Sequence, residues 1–229
     1  MIIAVLDYFP TYSTPHVYNS FQEIDPLSYN TVIRFFNEHV EEITALDFED
    51  YFEILTTYVN ALFEVGAYQK HAAMADVVIE SSIMNNLNVF HGVDLYEKTL
   101  FQKSASLYHL QEFHKSAYVL TELIKINPNN TTYRDFLIKN KLQVKPGYMV
   151  KAQGMSISLY FISILIIAFS SFYLDPFLPA WSAKAETLRN IAFAGGTAIL
   201  LGTDGVHRFK AYFQTYNLVS KAKEKMKRS

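Results

Sequence analysis

The chain has 229 residues, half of them apolar, and no cysteine, which excludes a disulfide framework, a thiolate metal site and a cysteine nucleophile. Its formal charge of −2 hides a division: residues 1–138 hold 7 Lys and Arg against 18 Asp and Glu, and the rest hold 13 against 4. An acidic first part has no cluster of cations to bind phosphates, so no nucleic-acid partner is expected.

Residues 1–27 read as an aromatic leader interrupted by prolines, with neither the basic start nor the cleavage site of a secretory signal. Its rings Tyr8, Phe9, Tyr12, Tyr18 and Phe21 are expected to pack across a helical domain at 28–148. A leader that rests in a groove and is displaced by a partner is the alternative. Residues 28–43 place Val32, Phe35, Phe36, Val40 and Ile43 on one side of an N-terminal packing helix.

From Asp47 the pattern is helical twice over. Phe48, Phe52, Leu55, Val59, Leu62 and Phe63 recur at three- and four-residue spacing until Gly66 stops the helix, and Ala72, Ala75, Val78 and Ile79 form a face of the next one. The arrangement returns about 45 residues later. Asp94 is a cap for a helix carrying Leu95, Phe101, Ser104, Leu107 and Tyr108, and Ala117, Leu120, Leu123 and Ile124 follow before Pro128. Each pair is expected to be tight and antiparallel, and residues 131–141 to form a capping helix.

Counted back from Pro128, the second pair resembles the tetratricopeptide repeat, a 34-residue helix-turn-helix unit. The family's small positions fall on Ser104 and Ser116, its turn aromatic on Phe113, and its large packing positions on Leu107, Leu120 and Leu123. Leu100 stands at the tryptophan-like position and Lys103 where an aliphatic residue is usual. In the first pair Gly66 and Tyr68 match the turn, with Leu55, Leu62 and Val78 in packing places. His71 occupies a small position there, unless the register slips to Ala72. The resemblance covers residues 47–130 and implies a concave groove, lined by the first helix of each pair, that holds a peptide or helix of a protein partner. By the family's spacing the groove residues are Asn60, Phe63, Lys98, Phe101, Ala105, Tyr108 and His109. An acidic domain favours basic or amphipathic partners.

After a linker at 143–154 the stretch 155–174, MSISLYFISILIIAFSSFYL, is twenty residues without a charge, enough to cross a bilayer at about 1.5 Å per residue. A second apolar run, 190–203, is too short to cross unless its polar flanks are drawn in. Its small residues Ala192, Ala194, Gly195, Gly196 and Ala198 would admit a close helix, with Ser163 and Ser170 of the first run as donors. Asp204 reads as a boundary acid that breaks the helix, followed by a basic segment lying along an anionic leaflet. Lysines and arginines lie before the first run and after the second, so both termini are expected in the cytoplasm.

The fold class expected is therefore all-α: a short tetratricopeptide-like solenoid of antiparallel helix pairs at 28–148, then a transmembrane helical hairpin with a basic C-terminal helix at 149–229. None of the seven histidines has metal-ligand spacing, and no phosphate loop, nucleophile elbow or carboxylate pair is present, so no metal, cofactor or enzymatic activity is expected. The function expected is a membrane-anchored scaffold or adaptor, with membrane lipid and a protein as partners, similar in layout to tail-anchored repeat adaptors of organelle membranes. The cysteine-free, Asn-, Ile-, Lys- and Tyr-rich composition points to a bacterial inner membrane. The alternatives are an accessory subunit of a membrane complex that packs through its hairpin, and an oligomerising, membrane-permeabilising effector.

Overall fold

The computed structural model describes residues 15–85, 89–90 and 93–228. Tyr8, Phe9 and Tyr12 of the expected leader lie outside them. The chain divides into two units, Met1–Val119 and Leu120–Ser229, and the division falls inside a helix.

The first unit is built from helices α1 (Pro15–Gln22), α2 (Tyr29–Glu38), α3 (Val40–Thr44), α4 (Phe48–Glu64), α5 (Tyr68–Met84) and α6 (Leu95–His109) and the start of α7 (Phe113–Ile126). Two residues on each side, Val89–Phe90 and Val93–Asp94, form a short antiparallel ladder before α6. The core gathers Val32 and Phe36 of α2, Phe52, Leu55, Val59 and Leu62 of α4, and Ala75 and Val78 of α5. Here the three- and four-residue spacing of the sequence becomes a buried face, as it must when one side of each helix leaves water. Part of the leader is helical: Val17 and Phe21 of α1 are buried, and the Tyr18 hydroxyl donates to Glu53 of α4 at 2.8 Å.

The packing helix expected over 28–43 is interrupted. At His39 the backbone leaves the helix (φ −120°, ψ 25°) and the imidazole Nδ1 lies 3.0 Å from the Phe35 carbonyl. A side chain that engages the preceding turn competes with helix continuation, and Val40 is left exposed.

Caps and turns are set by local chemistry. Asp47 accepts from the Asp50 amide at 3.1 Å and Asp94 from the Glu97 amide at 2.9 Å, each satisfying one amide that a helix start leaves unpaired. At the end of α4, Gly66 (φ 77°) donates to the Phe63 carbonyl and Ala67 to that of Leu62, the crossed pair of bonds that closes a helix on a left-handed residue. The same turn recurs at the end of α6. Gln111 (φ 61°) donates to Tyr108 and Glu112 to Leu107, each partner 45 residues beyond its counterpart.

The second unit holds the rest of α7, α8 (Thr131–Gln143), α9 (Gly147–Phe169), a π-helical turn (Ser170–Leu174), α10 (Asp175–Phe177) and α11 (Pro179–Arg228). Asn130 caps α8 by accepting from the Thr132 amide. The expected linker is short, because α9 already starts at Gly147 behind Pro146. The run Gly147–Phe177 is long and apolar enough to cross a membrane. Helix α11 is continuous over 50 residues, so Asp204 does not break it. Its carboxylate pairs with Arg208 one turn on, at 2.7 Å, which helps the helix through this polar point.

Candidate functional site

A concavity of about 330 Å³ opens between α4 and α6. Glu53, Thr56 and Asn60 line it from α4, and Lys98, Thr99 and Gln102 from α6. Glu53, Thr56 and Asn60 follow one another at three- and four-residue spacing, and Gln102 lies three and four residues beyond Thr99 and Lys98, which is why each set shares one side of its helix. The Gln102 amide donates to the Asn60 side-chain oxygen at 3.0 Å across the floor. An amide pair joined by one bond keeps a donor and an acceptor for a ligand, the complement of a peptide bond. Glu53 is already engaged by Tyr18 and Gln22 of α1, and its hydrogen bond pushes the Tyr18 phenol above its ordinary value.

The residues expected to line a groove thus divide. Asn60 and Lys98 face this concavity together, while Gln102, Thr56 and Glu53 join them without having been singled out from the sequence. Their signal was available as the four-residue spacing on either side of Asn60 and Lys98. Phe63 and His109 gather instead around Tyr68 at the turn between α4 and α5, and Tyr108 lies at the turn between α6 and α7. The His109 ring stacks on Tyr68 at 4.3 Å, Phe63 meets Tyr68 and His71, and Tyr108 sets its edge against Phe113. Phe101 is half-buried on α6.

Beneath that aromatic cluster His71 is wholly buried, with Nδ1 2.8 Å from the Ser106 hydroxyl of α6. Its neighbour Ala72 is only half-buried. Loss of water holds the imidazole at about 4, so it is neutral in the folded protein. Forty-five residues on, buried Ser116 donates to the Ser104 carbonyl at 2.7 Å, so the two small positions of the second pair touch. A wider cavity of about 600 Å³ lies between α5, α6 and the start of α7, crossed by the ion pair of Lys103 and Asp76.

In the second unit α9 packs along α11. The Cβ position of Gly196 faces the Tyr160 ring at 3.1 Å and the Ser156 carbonyl at 3.3 Å, closer than an ordinary Cβ contact. Gly195 faces Leu159, Ala192 is buried, and Ser163 donates to the Arg189 carbonyl at 3.3 Å. Tyr160 completes the seam with its hydroxyl 3.1 Å from that of Thr197. Ala198 is exposed, and Ser170 borders a polar cleft with Asp175, Ser182, Glu186 and Arg189. Much of the remaining α9 surface is bare hydrocarbon: Ile157 is 65 % exposed and Phe161 61 %. Beyond the apolar run, α8 packs against α11, and the Arg134 guanidinium lies over the Tyr216 ring at 5.5 Å.

No family model, no curated protein and no solved structure matches the chain.

Proposed function

We propose that the protein is a membrane-anchored helical adaptor that holds a peptide or helix of a partner protein between α4 and α6. The observation that carries the reading is the amide pair Asn60–Gln102 on the floor of a concavity that also offers Lys98 and Glu53 as charges of opposite sign. Such a surface suits a polypeptide better than a small apolar ligand. The repeated helix-closing turn at Gly66 and Gln111 and the touching serines 104 and 116 support a short tetratricopeptide-like array of antiparallel pairs. The 45-residue offset exceeds the family's 34 by 11, and a ten-residue connection, 85–94, separates the pairs.

In the same reading α9 and the first half of α11 form a hairpin in lipid, which gives the exposed isoleucines and phenylalanines of α9 an apolar solvent. The lysines and arginines outside the apolar runs put both termini on the cytoplasmic side. The rival reading, a subunit that docks its small residues into another protein's transmembrane bundle, has less support. Tyr160 of the same chain already fills the space above Gly196.

The test is photo-crosslinking from position 98 in membranes extracted with mild detergent, with and without Asn60→Ala and Gln102→Ala. A crosslinked partner whose yield falls at least several-fold in the double variant, at unchanged helical content, is the expected result. An unchanged yield moves the binding face elsewhere.

A further inference from the structure

The charge-free stretch 155–174 invites a bilayer centred on those residues, but the packing of α9 on α11 opposes it. Ser156 lies against Gly196, Tyr160 against Phe193 and Ser163 against Arg189. Each step forward along α9 is matched by a step back along α11. The part of α11 level with 155–174 is therefore about 178–197, which carries Lys184, Glu186 and Arg189. Arg189, level with Ser163, would lie about 12 Å from one edge of that layer and about 17 Å from the other, near its middle. The Arg189–Glu186 ion pair at 3.1 Å and the cleft bordered by Asp175 and Ser182 would then be immersed in hydrocarbon. Charged side chains are tolerated far better where they reach headgroups.

We propose that the hydrocarbon layer lies on residues 149–168 of α9 and 184–203 of α11, six residues or about 9 Å from the position read off the sequence, and that the tip 169–183 is seated among phospholipid headgroups of the opposite leaflet. In this frame Lys151 lies two residues inside one boundary and Lys184 on the other. Glu186 and Arg189 are within about 8 Å of the second boundary, and Asp204 falls just outside the first. The tip has the matching chemistry. Phe172 is 82 % exposed, Phe177 69 % and Trp181 55 %, and such rings partition to the headgroup level. The Lys184 ammonium lies 4.3 Å over the Trp181 ring, where a lipid phosphate can meet it. The polar cleft of about 220 Å³ then opens to a hydrated surface. The π-helical turn at Ser170–Leu174 is placed at the boundary, where water can serve its irregular hydrogen bonds.

The inference rests on the membrane-anchor part of the proposed function, and the test separates the two. Trp181 is the single tryptophan, and the absence of cysteine makes one introduced thiol unique. The intact protein is placed in phosphatidylcholine–phosphatidylglycerol vesicles with its N-terminal unit outside, and Trp181 is quenched by lipids brominated at successive depths. Quenching is expected to be strongest from the shallowest bromines and several-fold weaker from the deepest. With Ser182→Cys, an impermeant maleimide is expected to label only after the vesicles are opened. In Lys184→Leu with Arg189→Leu the tip is free to sink, and the deep bromines gain. A thiol at position 182 that stays unlabelled after the vesicles are opened, or that is labelled in sealed vesicles, overturns the proposal while leaving the anchor intact. A protein that does not sediment with vesicles at all overturns both.

Discussion

His71 shows how an imidazole can be accommodated in a helical core. The ring is wholly buried between α5 and α6, where Ser106 takes one ring nitrogen. The cost is written in its protonation. Burial sets it at about 4 against an ordinary 6.5, so below about 6.5 the unfolded chain gains a proton that the folded chain refuses. Its contribution to stability is whole above that value and is lost as pH falls towards 4. Between pH 7 and pH 5 the loss amounts to about 2 kcal/mol. Unfolding by urea in mild detergent, followed by circular dichroism, is expected to show His71→Gln losing about that much less than the native chain over the same interval. Equal losses would remove His71 as the cause. The sequence displayed the histidine but not its partner, since Ser106 is 35 residues away and the pairing exists only once α5 meets α6.

Among the helices, what could be read in advance was what neighbouring residues decide. Asp47, Asp94 and Gly66 mark ends, and apolar spacing marks faces, because caps and amphipathicity act within a turn or two. Gln111 could not be read this way. It takes the left-handed conformation of Gly66 with a side chain that disfavours it, held there by the bonds to Tyr108 and Leu107 that close α6. Gln111→Gly is therefore expected to stabilise the α6–α7 turn by about 0.5–1 kcal/mol, measured as a higher urea midpoint. A lower midpoint would mean that the side chain, not the backbone, holds the turn. The break at His39 and the persistence of α11 through Gly202 and Gly205 were equally illegible. The contact of His39 with the Phe35 carbonyl accompanies the first and the ion pair of Asp204 with Arg208 the second, and neither is displayed by the propensities of the residues around it.

For the molecule as a whole, the all-helical class and the apolar stretch near the C-terminus were visible in composition and periodicity alone. The lining of the concavity between α4 and α6 was visible in part. Asn60 and Lys98 came from family spacing, but Gln102 and Glu53 belong to it through tertiary contact, and the aromatic residues chosen with them serve turns instead. The register of α9 on α11 was hidden altogether, because it depends on where one glycine admits one tyrosine ring.

The length of α11 has a consequence for its lysines. A helix of 50 residues extends about 75 Å, and with hydrocarbon ending near Thr203 it carries Lys221 about 27 Å out into solution if it stands upright. Electrostatic reach at physiological salt is about 8 Å, so in the proposed frame an upright helix carries the cluster of Lys221, Lys223, Lys225 and Lys227 beyond the reach of the surface charge of a bilayer. Removing residues 221–229 is accordingly expected to leave sedimentation with anionic vesicles unchanged at about 0.1 M and about 0.5 M salt. A salt-dependent drop would show the rod lying down. Upright, it is a mast whose positive head is offered to whatever approaches through the water, a second membrane or an acidic protein alike.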